Sequence, residues 1–395
     1  MYILGAIRQS VEHNSTGGME LVSHDLYKGL VAVGFEVEVL TSALKNQDVS
    51  EMNIDGVKYI FIKNAPSGTY SNELHEGIKS YLQSLMKINK KPLIIHSASA
   101  AAASVIKNAY KIPVIATWHG TNIEQELDRM MSYVYVERKT LLPSHCENLL
   151  RNICNNKRLH SDFQGFDGHV AISSFMKECI INYGVAEKDV TIINNALPEV
   201  FFQESPELNS FQKSKDKVLL GLVGRPIAMK GYEFFNKVLQ RLDPEKYELM
   251  VVSGHKDALE YFKNSKIKTH FLSVERSQMP SVYALMDVYI NPTFRYSGFD
   301  LTVQEALISG TVVLNSDIRP YQNYYNELQN ELGERSPFFV FKVGDIDSCL
   351  SAINRIYVNK VKNHQVSYFT KKFKFQYMIE EYIKFFHDVN RRING

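Results

Sequence analysis

Phe294-Arg-Tyr-Ser-Gly-Phe-Asp-Leu-Thr-Val-Gln-Glu305-Ala-Leu-Ile-Ser-Gly310 reads as a glycine-bearing loop that turns directly into a helix. It follows the apolar run Asp287-Val-Tyr-Ile-Asn-Pro, which reads as a strand. The first N–H groups of such a helix lack intrahelical acceptors, and its dipole adds partial positive charge. The loop therefore suits an anion such as phosphate. Glu305 is expected on the first helical turn, where a carboxylate is favoured and can accept from a vicinal diol. Eight residues before it stands Ser297.

Outward from this stretch the strand–loop–helix unit recurs. In the first half, Tyr2–Ile7, Glu36–Thr41, Tyr59–Ile62, Leu93–His96, Val114–Thr117 and His169–Ile172 read as short buried strands. Met19–Val33, Glu73–Lys87 and Ala100–Ala109 read as helices between them. A second series runs through Val218–Val223, Glu248–Ser253, Thr269–Leu272, Val288–Asn291, Thr311–Asn315 and Phe338–Phe341. Alternating strands and helices imply an α/β fold with parallel, doubly wound sheets. The polar segment Pro198–Lys217 reads as a linker. The expected domains are residues 1–200 and 201–374, each Rossmann-like, with a ligand cleft outside the carboxyl ends of the strands. The amphipathic stretch Phe375–Val389 is expected to pack back on the first domain, so that 375–395 returns to it.

The 395-residue length suits two domains. An apolar content of 45% and a charged content of 22% are ordinary for a soluble globular protein. A net charge of +2 argues against a nucleic-acid partner. Cys146, Cys154, Cys179 and Cys349 show no metal-ligand spacing, which fits a reduced, cytoplasmic setting. Tyr2-Ile-Leu-Gly-Ala-Ile reads as a strand rather than a signal peptide, and no apolar run reaches the ~20 residues of a membrane span. The basic runs Lys87–Lys91 and Lys371–Lys374 read as solvated faces, with contact at the inner face of a membrane as the alternative.

Gly17-Gly18, in a polar loop before the first helix, permits positive φ and close backbone approach to a ligand, or else forms a plain turn. His119, in Trp118-His-Gly-Thr121 at a strand end, can donate to a phosphate or a sugar hydroxyl; the alternative is a satisfied polar residue. Arg225 and Lys230, five apart in Gly224-Arg-Pro-Ile-Ala-Met-Lys-Gly231, can converge on a diphosphate, unless they are solvated surface cations. Asp345-Ile-Asp347 reads as a helix cap rather than a metal pair, and no metal site is expected.

Taken in order, these segments resemble the retaining, nucleotide-sugar-dependent glycosyltransferases of GT-B architecture, family 4. The resemblance includes Leu30…Gly34-Phe-Glu-Val-Glu-Val, Ala171-Ile-Ser-Ser-Phe-Met-Lys177 and Val190-Thr-Ile-Ile-Asn194 beside the motifs above. It implies that Arg225 and Lys230 bind the donor diphosphate and stabilise it as a leaving group, while Glu305 holds the ribose hydroxyls. It implies that the backbone of Gly298, Phe299, Asp300 and Leu301, with Thr302, meets sugar and phosphates, and that Val274 flanks the nucleobase. His119 would contact the donor sugar or phosphate, and Gly17 and Gly18 the transferred group. The implied substrates are a nucleotide-sugar donor and a glycan or lipid-linked acceptor, used without metal or cofactor in surface polysaccharide or glycoconjugate synthesis.

The sequence departs from the family pattern twice. Ser297 stands where the first glutamate of Glu-x7-Glu is usual, and Asn195 where glycine is common. Two alternatives follow. One is a non-catalytic member that binds a nucleotide, a glycan or a partner enzyme. The other is a nucleotide-sugar epimerase of the same architecture.

Overall fold

The computed structural model describes residues 1–13, 17–136, 163–203, 211–296, 298–359 and 362–395. They form two compact units. The first comprises Met1–Thr121, the described residues up to Ala196, and Phe375–Gly395; the second comprises 122–136 and the described residues of Leu197–Lys374.

In the first unit the chain runs β1 (Tyr2–Ala6), α1 (Gly18–Ala32), β2 (Glu36–Ser42), β3 (Glu51–Ile54), β4 (Val57–Ile62), α2 (Asn72–Lys87), β5 (Ile94–Ala98) and β6 (Val114–Trp118). After α3 (Asn122–Met131), which groups with the second unit, come β7 (Gly168–Ala171), α4 (Ser174–Asn182) and β8 (Val190–Ile192). The sheet order is β3-β4-β2-β1-β5-β6-β7-β8, parallel throughout except for β3 against β4. A parallel strand is covered on both faces, so β1, β5 and β6 are buried along their whole length and are mostly apolar, with His96, Ser97 and Thr117 as the buried polar residues. On α2 the buried Leu74, Ile78, Leu82 and Leu85 repeat at helical spacing, and the Ser71 hydroxyl accepts from the Leu74 N–H (3.2 Å) to cap the first turn. The C-terminal helix, Phe375–Asn394, packs on this unit with Met378, Ile379, Tyr382, Phe386 and Val389 in its core. A Cβ on Gly29 would lie 2.4 Å from Ile379, so glycine allows the two helices to approach.

Local chemistry overrode the expected pattern in two places. Ala100–Ala109 holds one 3-10 turn, Ala103–Val105, in place of a helix. The Asn108 side chain accepts from the Tyr110 and Ile112 N–H groups and donates to the Val105 and Ile112 carbonyls, and Ser99 and Lys107 take positive φ. That side chain competes with a helical ladder for the same backbone groups. The β3–β4 hairpin was not foreseen, although Asp55-Gly56 (φ 54° and 84°) has the composition of a two-residue hairpin turn.

The second unit contains β9 (Val218–Val223), α5 (Tyr232–Leu239), β10 (Tyr247–Val252), β11 (Lys268–Leu272), α6 (Met279–Leu285) and β12 (Val288–Asn291). It continues through α7 (Leu301–Ile308), β13 (Val312–Ser316), α8 (Arg319–Leu332), β14 (Phe338–Phe341), α9 (Ile346–Val358) and α10 (Val366–Phe373). Six parallel strands lie in the order β11-β10-β9-β12-β13-β14, with a separate apolar core on each face. The order reverses between β9 and β12, and at such a switch point the loops after the two strands diverge to leave a ligand crevice. The expected linker is partly structured: Phe201 within it and Leu197 just before it are buried in this unit's core, and the boundary falls at 196/197. Asp345 caps α9 by accepting from the Ser348 N–H at 3.0 Å. No helix among the described residues is long and apolar enough to cross a membrane.

Candidate functional site

At the β9/β12 switch point the two loops touch. Gly231 takes φ +73°, and a Cβ there would sit 1.9 Å from the Pro292 carbonyl oxygen, so only glycine fits. The Phe294 N–H donates to the Met229 carbonyl (2.8 Å), and the Tyr232 hydroxyl donates to Gly224 O (2.7 Å). These bonds fix the 3-10 turn Ala228–Lys230 beside the start of α7. Arg225 lies exposed on the same loop, with no ion pair among the described residues.

Lys230 does not stand alone. Its ammonium lies 2.6 Å from Asp300 Oδ1, with the two side chains only 13% and 18% exposed. The other Asp300 oxygen accepts from the Tyr321 hydroxyl (2.9 Å) and the Asn291 amide (3.3 Å). Burial raises the Asp300 pKa, but the Lys230 charge and hydrogen bond, the Arg295 charge and the Tyr321 hydroxyl together bring it down to about 2. Asp300 is the N-cap residue of α7 yet makes no side-chain capping bond. Among the described residues no side chain caps the first-turn N–H groups of Leu301 and Thr302, an arrangement suited to an anion. The Asp300 N–H itself, expected to meet the sugar or phosphates, donates to the Tyr321 hydroxyl (3.1 Å).

Glu305 sits on the second turn of α7, not the first, because the helix begins only at Leu301. It is 8% exposed, and its carboxylate accepts from the buried Tyr283 hydroxyl at 2.9 Å. Burial raises its pKa, opposed by the Arg276 charge and the Tyr283 hydrogen bond. Val274, partly buried beyond the end of β11, borders the same core. Gly298 takes φ +78°, Phe299 packs on Tyr321 and Tyr324, and Thr302 Oγ1 accepts from the Tyr289 hydroxyl (2.8 Å). Ser297 lies outside the described residues.

The second unit therefore gathers Arg225, Lys230, Val274, Gly298, Phe299, Asp300, Leu301, Thr302 and Glu305. Several residues there were not anticipated. Asp128 accepts from the Tyr296 N–H and lies 3.9 Å from Arg295, while Tyr135 stacks on Phe294 with centroids 5.0 Å apart. Residues 122–136 thus brace the loop before α7, although they were expected in the first domain. Asn291, Tyr283, Tyr321 and Arg276 carry no local motif; each acts through a partner distant in sequence.

His119, Gly17 and Gly18 belong to the first unit. His119, just past β6, is partly buried, and burial lowers its pKa to about 4, so its ring is neutral at neutral pH and can donate one N–H. Gly17 does not use the positive φ that glycine permits: at φ −119° it is the N-cap of α1. Its N–H donates to Glu20 Oε2 (2.9 Å), and a Cβ there would press on that oxygen at 3.0 Å. Among the described residues, no three His, Cys, Asp or Glu side chains converge as metal ligands.

Two family models match the chain: Glycosyltransferase Family 4 over residues 16–199, and Glycosyl transferases group 1 over 217–359. An uncharacterized 41.2 kDa protein in the cps region of Klebsiella pneumoniae is 21% identical over 246 residues, which cover 59% of this chain and 62% of that protein. Among solved structures, sucrose-phosphate synthase from Thermosynechococcus elongatus superposes with a TM-score of 0.70 at 16% identity, covering 99% of each chain. HepE from Anabaena, in complex with UDP-glucose, gives a TM-score of 0.64 at 14% identity over 98% of this chain and all (100%) of that one. Both halves of the chain match glycosyltransferase models and both units have the Rossmann-like form of these structures, so the chain belongs to the family 4-like glycosyltransferases of GT-B architecture.

Proposed function

We propose that this glycosyltransferase moves a sugar, with retention of configuration and without a metal, from a nucleoside-diphosphate donor to a hydroxyl of a glycan or lipid-linked acceptor in surface polysaccharide synthesis. One observation carries the reading: Arg225, Lys230, the open N-terminus of α7 and Glu305 all lie at the switch point of one sheet. The cations and amide dipoles suit a diphosphate whose charge grows as the glycosidic C1–O bond breaks. The departing phosphate oxygen then takes the proton of the acceptor hydroxyl, whose oxygen forms the new bond to C1. Glu305, steadied by Tyr283, is suited to accept from the ribose hydroxyls. HepE was solved with UDP-glucose, which makes UDP the first donor nucleotide to try. We place the protein in the cytoplasm, at most on the inner face of a membrane.

The test is calorimetric titration of UDP, ADP and GDP into the wild type and the Arg225→Ala/Lys230→Ala double variant. Binding of one nucleotide to the wild type, weakened at least about 100-fold in the variant, is expected from loss of two charge-assisted contacts. Equal affinity in both proteins would refute the assignment. A non-catalytic, nucleotide-binding role is the second reading, favoured by the neutralisation of Lys230 by Asp300. Transfer or donor hydrolysis with any nucleotide sugar rules it out.

A further inference from the structure

Lys230 meets the site as half of an ion pair, not as a bare cation. Asp300 occupies the N-cap of α7, beside the same N–H groups that suit a phosphate, yet it caps none of them. Three donors hold its carboxylate instead: Lys230 at 2.6 Å, Tyr321 at 2.9 Å and Asn291 at 3.3 Å. The Asn291 amide is itself anchored to Asn315 at 2.7 Å, and Tyr321 is buried, so the carboxylate has no easy alternative position. A diphosphate entering here has to share Lys230 and the helix dipole with a fixed negative charge. Arg225, Lys230 and Asp300 together carry a formal +1 rather than the +2 of the two cations alone, and like charges repel strongly where water is scarce.

We propose that Asp300 is a specificity-determining residue of the donor site, built in to weaken its hold on the nucleoside diphosphate so that this product leaves after transfer. The inference rests on the donor-site reading of the second unit. It distinguishes charge from position: if Asp300 only steadied Lys230, removing its charge would weaken nucleotide binding, whereas an attenuator removed strengthens it. The effect should scale with ligand charge, being larger for a nucleoside diphosphate than for the monophosphate of the same base. In turnover, the donor KM and kcat should fall together as product release slows.

Titrations of UDP, ADP and GDP and of the matching monophosphates into the wild type, Asp300→Asn, Asp300→Ser and Asp300→Glu test it. Circular dichroism checks the fold of each, and the serine variant removes the same charge should the asparagine variant misfold. The two neutral variants are expected to bind the recognised diphosphate about tenfold or more tightly than the wild type, with a gain below about threefold for the monophosphate. Asp300→Glu is expected to stay near the wild type. Equal or weaker diphosphate binding by folded neutral variants overturns the inference while leaving the donor site intact. Absence of nucleotide binding in the wild type and in every variant overturns the donor-site reading and this inference with it.

Discussion

Acid should undo the first unit through histidines that the fold keeps neutral. His96 is 1% exposed; Tyr27 Oη lies 2.9 Å from its Nδ1 and Thr117 Oγ1 2.8 Å from its Nε2. Burial, with a smaller contribution from His119, lowers its pKa to about 3. His169 is equally buried, accepts from the Trp118 indole N–H at 3.0 Å, and is lowered by burial to about 4. The unfolded chain titrates both rings near 6.5, so below that pH it binds protons that the native unit refuses. The stability these rings contribute is present above pH 6.5 and is lost as pH falls toward 4 and 3. Each ring costs the native unit close to 1.4 kcal/mol per pH unit in that window, so the two remove about 4 kcal/mol between pH 7 and pH 5. That is a large part of an ordinary domain's stability. His119 and His13, also lowered by burial, act in the same direction. The raised Asp167 opposes them, but only near the carboxylate range.

Trp118 reports this directly, because it is the chain's one tryptophan and its indole stacks on Phe163 and His169. Urea unfolding followed by its emission at pH 7, 6 and 5 should show the midpoint falling steadily. His96→Gln, which cannot take up a proton, should lower the slope by one ring's share, about 1.4 kcal/mol per pH unit. A midpoint constant from pH 7 to 5, or an unchanged slope in His96→Gln, would refute the argument that burial holds these rings neutral.

Two further perturbations probe the second unit. Gly231→Ala combines a left-handed backbone with a Cβ 1.9 Å from the Pro292 oxygen, so a loss on the order of 3 kcal/mol in urea unfolding is expected, with nucleotide binding abolished. A loss below about 1 kcal/mol would show that the two loops yield easily. Tyr283→Phe removes the hydrogen bond that holds Glu305 and lets its pKa rise further, so nucleotide affinity should fall about tenfold, and more at pH 6 than at pH 8. Unchanged affinity at both pH values would remove Glu305 from the site.

Local patterns by themselves determined most of the architecture. Parallel strands buried on both faces are mostly apolar, so β1, β9 and β12 are visible as runs, and the Gly224-to-Gly231 and Gly298-Phe-Asp300 loops mark where the chain turns beyond β9 and β12. Where a side chain competes for backbone hydrogen bonds, as Asn108 does, composition misleads and the expected helix fails to form. Arg225 and Lys230 could be singled out because charged residues beside glycines at strand ends are a local signal, and Glu305 because it stands in the helix that follows a glycine-bearing loop. What Lys230 is paired with could not, since Asp300 lies 70 residues away and Tyr321 another 21 beyond it. Local sequence cannot state which strand ends become neighbours; the reversal of strand order between β9 and β12 does. Only the tertiary structure turned an anion-binding loop into one whose positive charge is already partly neutralised, because Coulomb energies depend on through-space distance and burial, and sequence separation fixes neither.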